Sequence, residues 1–307
     1  MTIDLVGYTG FVGSNLLLSY KFDHIYNSKN IESAYNTQPD ILVYAGVTGT
    51  KYIANKFPEK DWLVIQNAMT NISKIKPKKL VLISTIDIFV KPDGEDEDSE
   101  PTSSEGFVYG NNRRLLEEWV KDNIKDYLIV RLPGIYGENL KKNFIYDLIN
   151  PIPQALTPSK FDELVKLDYR LSEFYKVGDD GFYHPNSLGR NSSKELRDIF
   201  DKIGFNALNF TDSRGVFQYY NLSNLWQHIQ IALREDIKVL NIATEPFSIA
   251  ELHMEIYNKP FKNEVITEVP YYNFKTKYAQ VFFGRNGYIL SKEAIINDIK
   301  QFLENHK

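Results

Sequence analysis

The sequence predicts an α/β fold built on a doubly wound parallel sheet. Three observations carry this expectation. Short apolar runs alternate with helix-like stretches through the first half of the chain. Several of those runs are apolar on both faces, as strands covered by helices on each side must be. A glycine-rich turn also falls directly between the first run and the first helical stretch.

Taken in order, strands are expected at Ile3–Val6, Phe22–Tyr26, Ile41–Tyr44, Leu80–Ile83 and Tyr127–Val130. Helices at Phe11–Leu18, Trp62–Ser73 and Arg113–Asn123 have the spacing of crossovers between parallel strands. Pro39 and Pro77 sit just ahead of strands, where a missing N–H costs the ladder nothing. After Gly137 the alternation stops, and residues from about 138 to 216 are rich in Asn, Tyr, Asp and Gly. A helix at Trp226–Leu233 and one more strand within 237–243 follow. Phe247 and Ser248 open an amphipathic helix with Ile249, Leu252 and Ile256 along one face. A last helix, Lys292–Asn305, takes Ser291 as its N-cap. The change of pattern divides the chain into 1–137 plus 217–244 and 138–216 plus 245–307. The acidic run at 93–100 reads as a solvated loop.

Composition excludes several classes of function. The chain has 307 residues, 43% hydrophobic and 25% charged, which suits a globular protein. With no cysteine, disulfides, thiolate metal sites and thiol nucleophiles are ruled out. A net charge of −4 provides no basic field for nucleic acid or anionic lipid. No run approaches the ~20 apolar residues of a membrane span, and the first residues form no leader, so a cytoplasmic protein is expected. The five histidines lack ligand spacing, so no metal site is expected, and G-x-S-x-G is absent.

The sharpest motif is Gly7-Tyr8-Thr9-Gly10-Phe11-Val12-Gly13, G-x-x-G-x-x-G between a strand and a helix. There, free N–H groups and the positive end of the helix dipole converge, and a pyrophosphate fits. Gly7 would turn tightly, Gly10 admit the phosphates and Gly13 bring helix and sheet together, with Phe11 and Val12 at the helix start. Where the second strand ends, an acid would clasp the adenosine ribose hydroxyls, but Asn27, Ser28 and Lys29 stand there instead. Neutral side chains do not repel a 2′-phosphate, and Lys29 attracts one. The cofactor expectation is therefore NADP or NAD, leaning to NADP.

Six stretches now fall into one pattern: GYTGFVG at 7–13, PDILVYAG at 39–46, LVLISTIDIF at 80–89, YGNNRRLLEE at 109–118, RLPGIYG at 131–137 and NIATEPFSIAEL at 241–252. In this order, across most of the chain, they resemble the extended short-chain dehydrogenase/reductases, more narrowly the NAD-dependent epimerase/dehydratase family acting on nucleotide sugars. The resemblance implies a Rossmann-type dinucleotide-binding domain, 1–137 plus 217–244, with bound NAD or NADP, a smaller, C-terminal-weighted substrate-binding domain, 138–216 plus 245–307, redox work at a sugar carbon, and a homodimer. The dimer would be packed through the Arg113–Asn123 helix with Leu115, Leu116, Trp119 and Val120.

It also implies residue roles. Tyr109 would be the acid/base, and Thr85 would share the substrate proton with it. The family's lysine four residues after the tyrosine, which holds the nicotinamide ribose, is here Arg113. At i,i+4 the two share a helix face, so a cation beside the phenol would lower its pKa. A guanidinium, however, cannot relay a proton. Asp87 takes the place of a dehydratase glutamate whose acidic neighbour is Ile86 here, so it reads as a loop hydrogen-bonder or a substrate hydroxyl ligand, and elimination is disfavoured. Ala45 and Gly46 would lie beside the cofactor, Leu132 and Pro133 would flank the nicotinamide, and Asn67 would support the central strands. Asn143 matches a contact to the sugar diphosphate, with Arg214, Lys275 and Lys277 as further anion ligands. Tyr219, Tyr220, Tyr271 and Tyr272 could stack a base or sugar. The expected activity is an NAD(P)-dependent oxidoreductase or epimerase on a nucleotide-linked or related sugar. The alternatives are a catalytically quiet nucleotide or nucleotide-sugar binder on the same fold, or a dehydratase.

Overall fold

Four consecutive buried residues make β1 (Ile3–Val6) an interior strand. Around it lie β2 (His24–Tyr26), β3 (Ile41–Tyr44), β4 (Lys79–Thr85), β5 (Tyr127–Leu132) and the strand Val239–Asn241. Their order across the sheet is Val239–Asn241, β5, β4, β3, β1, β2, and every neighbouring pair is parallel. The chain runs outward from β1 to β2 and then in the opposite direction from β3, so the direction of winding reverses between β1 and β3. In an open parallel sheet, ligands enter at such a reversal, beyond the carboxyl ends of the strands.

The computed structural model describes residues 1–187 and 189–306, with Arg190 described by its backbone alone. Leu188 and Lys307, inside the expected substrate-domain ranges, lie outside the described residues. One compact unit comprises Met1–Leu140, Val216–Phe247 and Pro270–Asp298; the other comprises Lys141–Gly215, Ser248–Val269 and Ile299–Lys307.

In the first unit the strands alternate their side chains between two apolar layers. Leu5, Val43, Val81 and Leu128 face Leu16 of α1 (Phe11–Ser19) together with Trp226 and Ile229. Val6, Leu42, Leu80 and Ile129 face the other way. There Ile65 and Ile72 of α3 (Pro58–Ile75), which follows the short α2 (Lys51–Lys56), and Leu116 and Val120 of α4 (Val108–Asn123) cover them. Leu116 and Val120 thus belong to the core of this unit, and of the four residues named for a dimer face Leu115 is the exposed one.

Several boundaries differ from expectation for local reasons. β2 begins at His24 because Phe22 turns into the core, edge-on to Tyr20 and Trp226. β4 and β5 run on to the pair Thr85 and Leu132, carrying both residues into the ladder. The acidic run is solvated at Asp93, Asp98 and Glu100 but not at Glu97. Glu97 accepts hydrogen bonds from Asn241 N–H (2.8 Å), Thr276 Oγ1 (2.6 Å) and Lys277 N–H (2.9 Å), and its burial raises its carboxyl pKa above the ordinary value. The segment 270–298, expected in the substrate domain, falls in the first unit because Phe274, Tyr272 and Tyr288 pack with Ile86, Ile88 and Phe89.

The second unit has its own core. Ile152, Phe161, Leu164, Leu171, Leu196 and Phe200 close around a hairpin of Tyr175–Val177 with Tyr183–Pro185, and Phe161 stacks on Tyr183 at 3.8 Å. Its helix Ile249–Tyr257 is opened by a capping box between Ser248 and Glu251.

The contact between β1 and α1 admits no side chain. A Cβ on Gly13 would lie 2.1 Å from the Gly7 carbonyl oxygen, and one on Gly7, at φ +92°, would lie 2.4 Å from that of Ala45. Gly13→Ala is therefore expected to lower stability by roughly 1–3 kcal/mol, read as a reduced urea midpoint. Gly10→Ala, whose Cβ would meet Gly7 O at 3.3 Å, is the control and should shift the midpoint far less.

Candidate functional site

The glycine turn lies at the reversal of the sheet. Gly7 N–H donates to Tyr26 O (2.8 Å) and Gly10 N–H to Gly7 O (2.9 Å), closing the turn. Gly10 is the N-cap of α1 and offers no side chain to the first helical N–H groups, which an α-helix leaves without internal acceptors. Ala45 N–H donates to Val6 O (2.9 Å), which brings the end of β3, with Gly46, against the turn. At the end of β2, Asn27 donates through Nδ2 to Tyr8 Oη (3.0 Å) and accepts from Lys29 N–H (2.9 Å). Ser28 and Lys29 are exposed.

Tyr109 is buried in the first turn of α4, where its N–H donates to Asn55 Oδ1 (3.2 Å). Its phenol lies beside Thr85 at the carboxyl end of β4, near enough for that side chain to lower its pKa. Close packing makes this meeting possible, since a Cβ on Gly110 would sit 2.0 Å from Asp87 O. Thr85 Oγ1 in turn accepts from Asp87 N–H (3.1 Å), so Thr85, Asp87 and Tyr109 come together as the sequence implied. Burial pushes the Tyr109 phenol above its ordinary pKa. Arg113 pulls it down, Asp87 pushes it up, Thr85 lowers it, and Asp61 raises it. The expected lowering by Arg113 is thus outweighed by desolvation.

Arg113 does not stand open to a ligand. Its guanidinium lies 4.0 Å over the Tyr109 ring and forms a buried ion pair with Asp61 of α3. It also donates to Tyr109 O (3.2 Å) and Thr48 O (2.6 Å). Asp61 accepts a further bond from Asn112 Nδ2 (2.8 Å). The carboxylate that neutralises Arg113 was missed in the sequence, because a pair 52 positions apart leaves no periodic trace.

Lys51 was missed too. It opens α2, and its Nζ donates to Asp87 Oδ1 (2.9 Å) and Tyr272 Oη (3.4 Å). Tyr272 Oη donates to the same Asp87 oxygen (2.8 Å). Tyr272 is therefore a polar member of the cluster; its phenol is raised by burial and by Asp87. The signal for Lys51 was its place in the loop after β3, on the ligand side of the sheet. Leu132 is buried at the end of β5, with Pro133 half-buried behind it.

Other expectations shift. Asn67 is exposed, and the asparagine that ties the helix inward is Asn71, one turn on. Asn71 donates to Tyr44 Oη (3.3 Å) and accepts from Tyr35 Oη (2.9 Å). Lys275 is engaged with Tyr288 and Asn286 O (3.3 Å), and Lys277 with Asp98 (2.5 Å). Tyr219 and Tyr220 are core residues, the latter bonded to His228 Nδ1 (2.7 Å).

In the second unit Arg214 grips Asp212 through two nitrogens (2.9 and 2.8 Å) and pairs with Glu264 (3.0 Å), so its charge holds the 264–266 loop. Asn143 has φ +102°, a conformation a non-glycine residue holds only under constraint, and caps the helix Phe144–Ile149. Within that helix, burial pushes the Asp147 carboxyl up to about 7. Among the described residues no group of His, Asp or Glu could hold a metal ion, and no helix is long and apolar enough to cross a membrane.

No family model matches the chain, nor does any curated protein. Solved structures do. A dTDP-4-dehydrorhamnose reductase from Bacillus anthracis in complex with NADP has a TM-score of 0.64 at 16% identity, covering 99% of both chains. A UDP-glucose 4-epimerase from Thermotoga maritima with UDP-glucose has 0.63 at 14%, covering 99% of this chain and 98% of that one. The UDP-glucose 4-epimerase of Thermus thermophilus in complex with NAD has 0.59 at 12%, covering 100% and 99%. The likeness is one of fold. It matches the doubly wound sheet and extends over the whole chain.

The Arg113–Asp61 pair generates a prediction. Asp61→Ala strands a buried guanidinium and is expected to cost about 3–5 kcal/mol. Replacing both partners, Asp61→Leu with Arg113→Met, should recover most of that loss. Urea unfolding of the two variants checks the order.

Proposed function

We propose that the protein is an NAD(P)-dependent oxidoreductase or epimerase acting on a nucleotide-linked or related sugar. The observation that carries this reading is the buried Tyr109 phenol beside Thr85 at the carboxyl end of β4, in the same unit as the glycine turn. The turn fits a dinucleotide, because Gly7, Gly10 and Gly13 keep side chains away from the uncapped start of α1. When bound, the cofactor supplies or accepts hydride at the sugar carbon.

The chain's own residues handle the proton. In the reducing direction Tyr109 Oη gives its proton to the oxygen of the keto carbon, while Thr85 holds that oxygen through its hydroxyl. A phenol raised by burial stays protonated at neutral pH and serves as the acid. Asp87 is bonded to Lys51 and Tyr272, which favours a charge-setting role for it over elimination of water. Asn27 and the exposed Ser28 and Lys29 carry no negative charge where a 2′-phosphate would lie, so NADP is the preferred cofactor in this reading.

A quiet nucleotide-binding protein is the second reading. The capture of Arg113 by Asp61 favours it, since the cation expected to hold the nicotinamide ribose is engaged elsewhere.

Gly10→Asp is expected to weaken NAD(P) binding roughly tenfold or more by repelling the phosphates. Because Asp is a good N-cap, the fold should persist. Fluorescence titration alongside thermal melting separates the two effects, and unchanged affinity removes the glycine turn from the site.

Tyr109→Phe should cut turnover on the order of 10²–10⁴-fold with cofactor affinity retained. An acid must be protonated to act, so a raised pKa keeps the reducing rate flat through neutral pH. The rate should fall only above the ordinary phenol value of 10.0. A kcat/KM profile on a keto sugar nucleotide tests this. A variant as active as the parent would refute the acid/base role, and cofactor binding without turnover of any sugar nucleotide would favour the quiet binder.

A further inference from the structure

Arg113 stands where the positive charge of the site was expected, yet its charge is matched by Asp61, and its Nη1 and Nη2 donate to Tyr109 O and Thr48 O. A second cation reaches the same cluster from a different element. Lys51 enters from the start of α2, lies 2.9 Å from Asp87 Oδ1 and 3.4 Å from Tyr272 Oη, and passes 5.2 Å over the Phe107 ring, two residues ahead of Tyr109. Gly49, two residues before Lys51, is close enough that a Cβ there would sit 3.9 Å from Tyr109 Oη. The loop after β3 therefore lies against the phenol, and Lys51 extends from that loop.

We infer that Lys51 is a positioning residue of this site, the cation that offsets Asp87 beside Thr85 and Tyr109 in place of the arginine locked to Asp61. The inference rests on the acid role proposed for Tyr109. The charged and titratable groups that act on that phenol are Arg113 from α4, Asp87 from the turn after β4, Asp61 from α3 and Tyr272 from the 270–298 segment, and Lys51 from α2 reaches it through Asp87. Arg113 favours a negative charge on Tyr109 Oη, and Asp61 offsets only the smaller part of that. Asp87 opposes the charge more strongly than Asp61 does, and Lys51 is the group placed to offset Asp87. When Tyr109 gives its O–H proton to the substrate oxygen, electrons remain on Oη. The ammonium makes that phenolate less costly and holds the Asp87 side chain, whose backbone N–H donates to Thr85 Oγ1. The Lys51 side chain is 41% exposed, whereas Arg113 is buried.

The test uses the full chain labelled with 3-fluorotyrosine, which lowers phenol pKa values and brings the titration into a range the fold survives. The Tyr109 fluorine resonance is identified by its loss in Tyr109→Phe, and its midpoint is followed by NMR without cofactor or substrate. Lys51→Met and Lys51→Gln should each raise the midpoint by about one unit, Lys51→Arg should leave it within a few tenths, and Asp87→Asn should lower it. Two neutral variants guard against one that fails to fold. A midpoint unchanged in the folded neutral variants, or an arginine variant that shifts as they do, overturns the inference. Cofactor affinity measured on the same samples keeps the outcomes apart. A protein that binds no NAD(P) refutes the proposed function without moving the phenol readout. An unmoved phenol in a cofactor-binding protein refutes only the role of Lys51.

Discussion

Helix α4 buries three polar side chains one turn apart, and the arrangement around it follows from their need for partners. Tyr109, Arg113 and Glu117 share one face of the helix, and all three are nearly inaccessible to water. A buried charge without a counter-ion costs several kcal/mol, so each anchor must be met in a definite place. Thr85 meets Tyr109 from β4 and Asp61 meets Arg113 from α3. Arg131 on β5 meets Glu117 through Nη2 at 2.7 Å, and Ser84 adds a bond to the same carboxylate at 2.5 Å. The stripe therefore locks the helix to β4, β5 and α3 together. The apolar layer of Leu116 and Val120 alone would tolerate sliding by small amounts.

That lock gives the site its chemistry as well as its shape. A phenol packed this deeply in protein resists ionisation, and the guanidinium above its ring is already satisfied by a carboxylate. In the proposed reading such a site keeps its proton until an acceptor oxygen is brought to Thr85 and Tyr109. The exposed cation beside them is Lys51, at the start of α2. In that reading two elements share the acid and its cation, with Asp87 as the joint between them.

Much of the first unit was legible because it depends on local rules. Runs apolar on both faces identified the interior strands, with β1 and β3 placed to the residue, and glycine spacing located the turn where α1 approaches Gly7. Tyr109, Thr85 and Asp87 were also readable as a group. What stayed hidden were partnerships between distant residues. Asp61 looks like an ordinary acid in the first turn of a helix, Lys51 like a surface lysine, and Glu97 like one charge in an acidic run. Each acquires its role from a neighbour brought near only by the sheet, and single-sequence periodicity holds no record of such pairs. Asn67 and Asn71 show the limit on one helix: both are one turn apart and alike in chemistry, and only burial chooses between them.

The tie between Glu97 and residues 241, 276 and 277 also bears on how the chain is made. The first unit is assembled from three stretches, and its sixth strand, Val239–Asn241, is synthesised long after the other five. Until it leaves the ribosome, β5 presents an unpaired edge of almost wholly buried residues, the kind of edge that recruits strands from other molecules. That edge closes only when Val239–Asn241 pairs with β5, and Glu97 then ties the late segment in through its bonds to residues 241, 276 and 277.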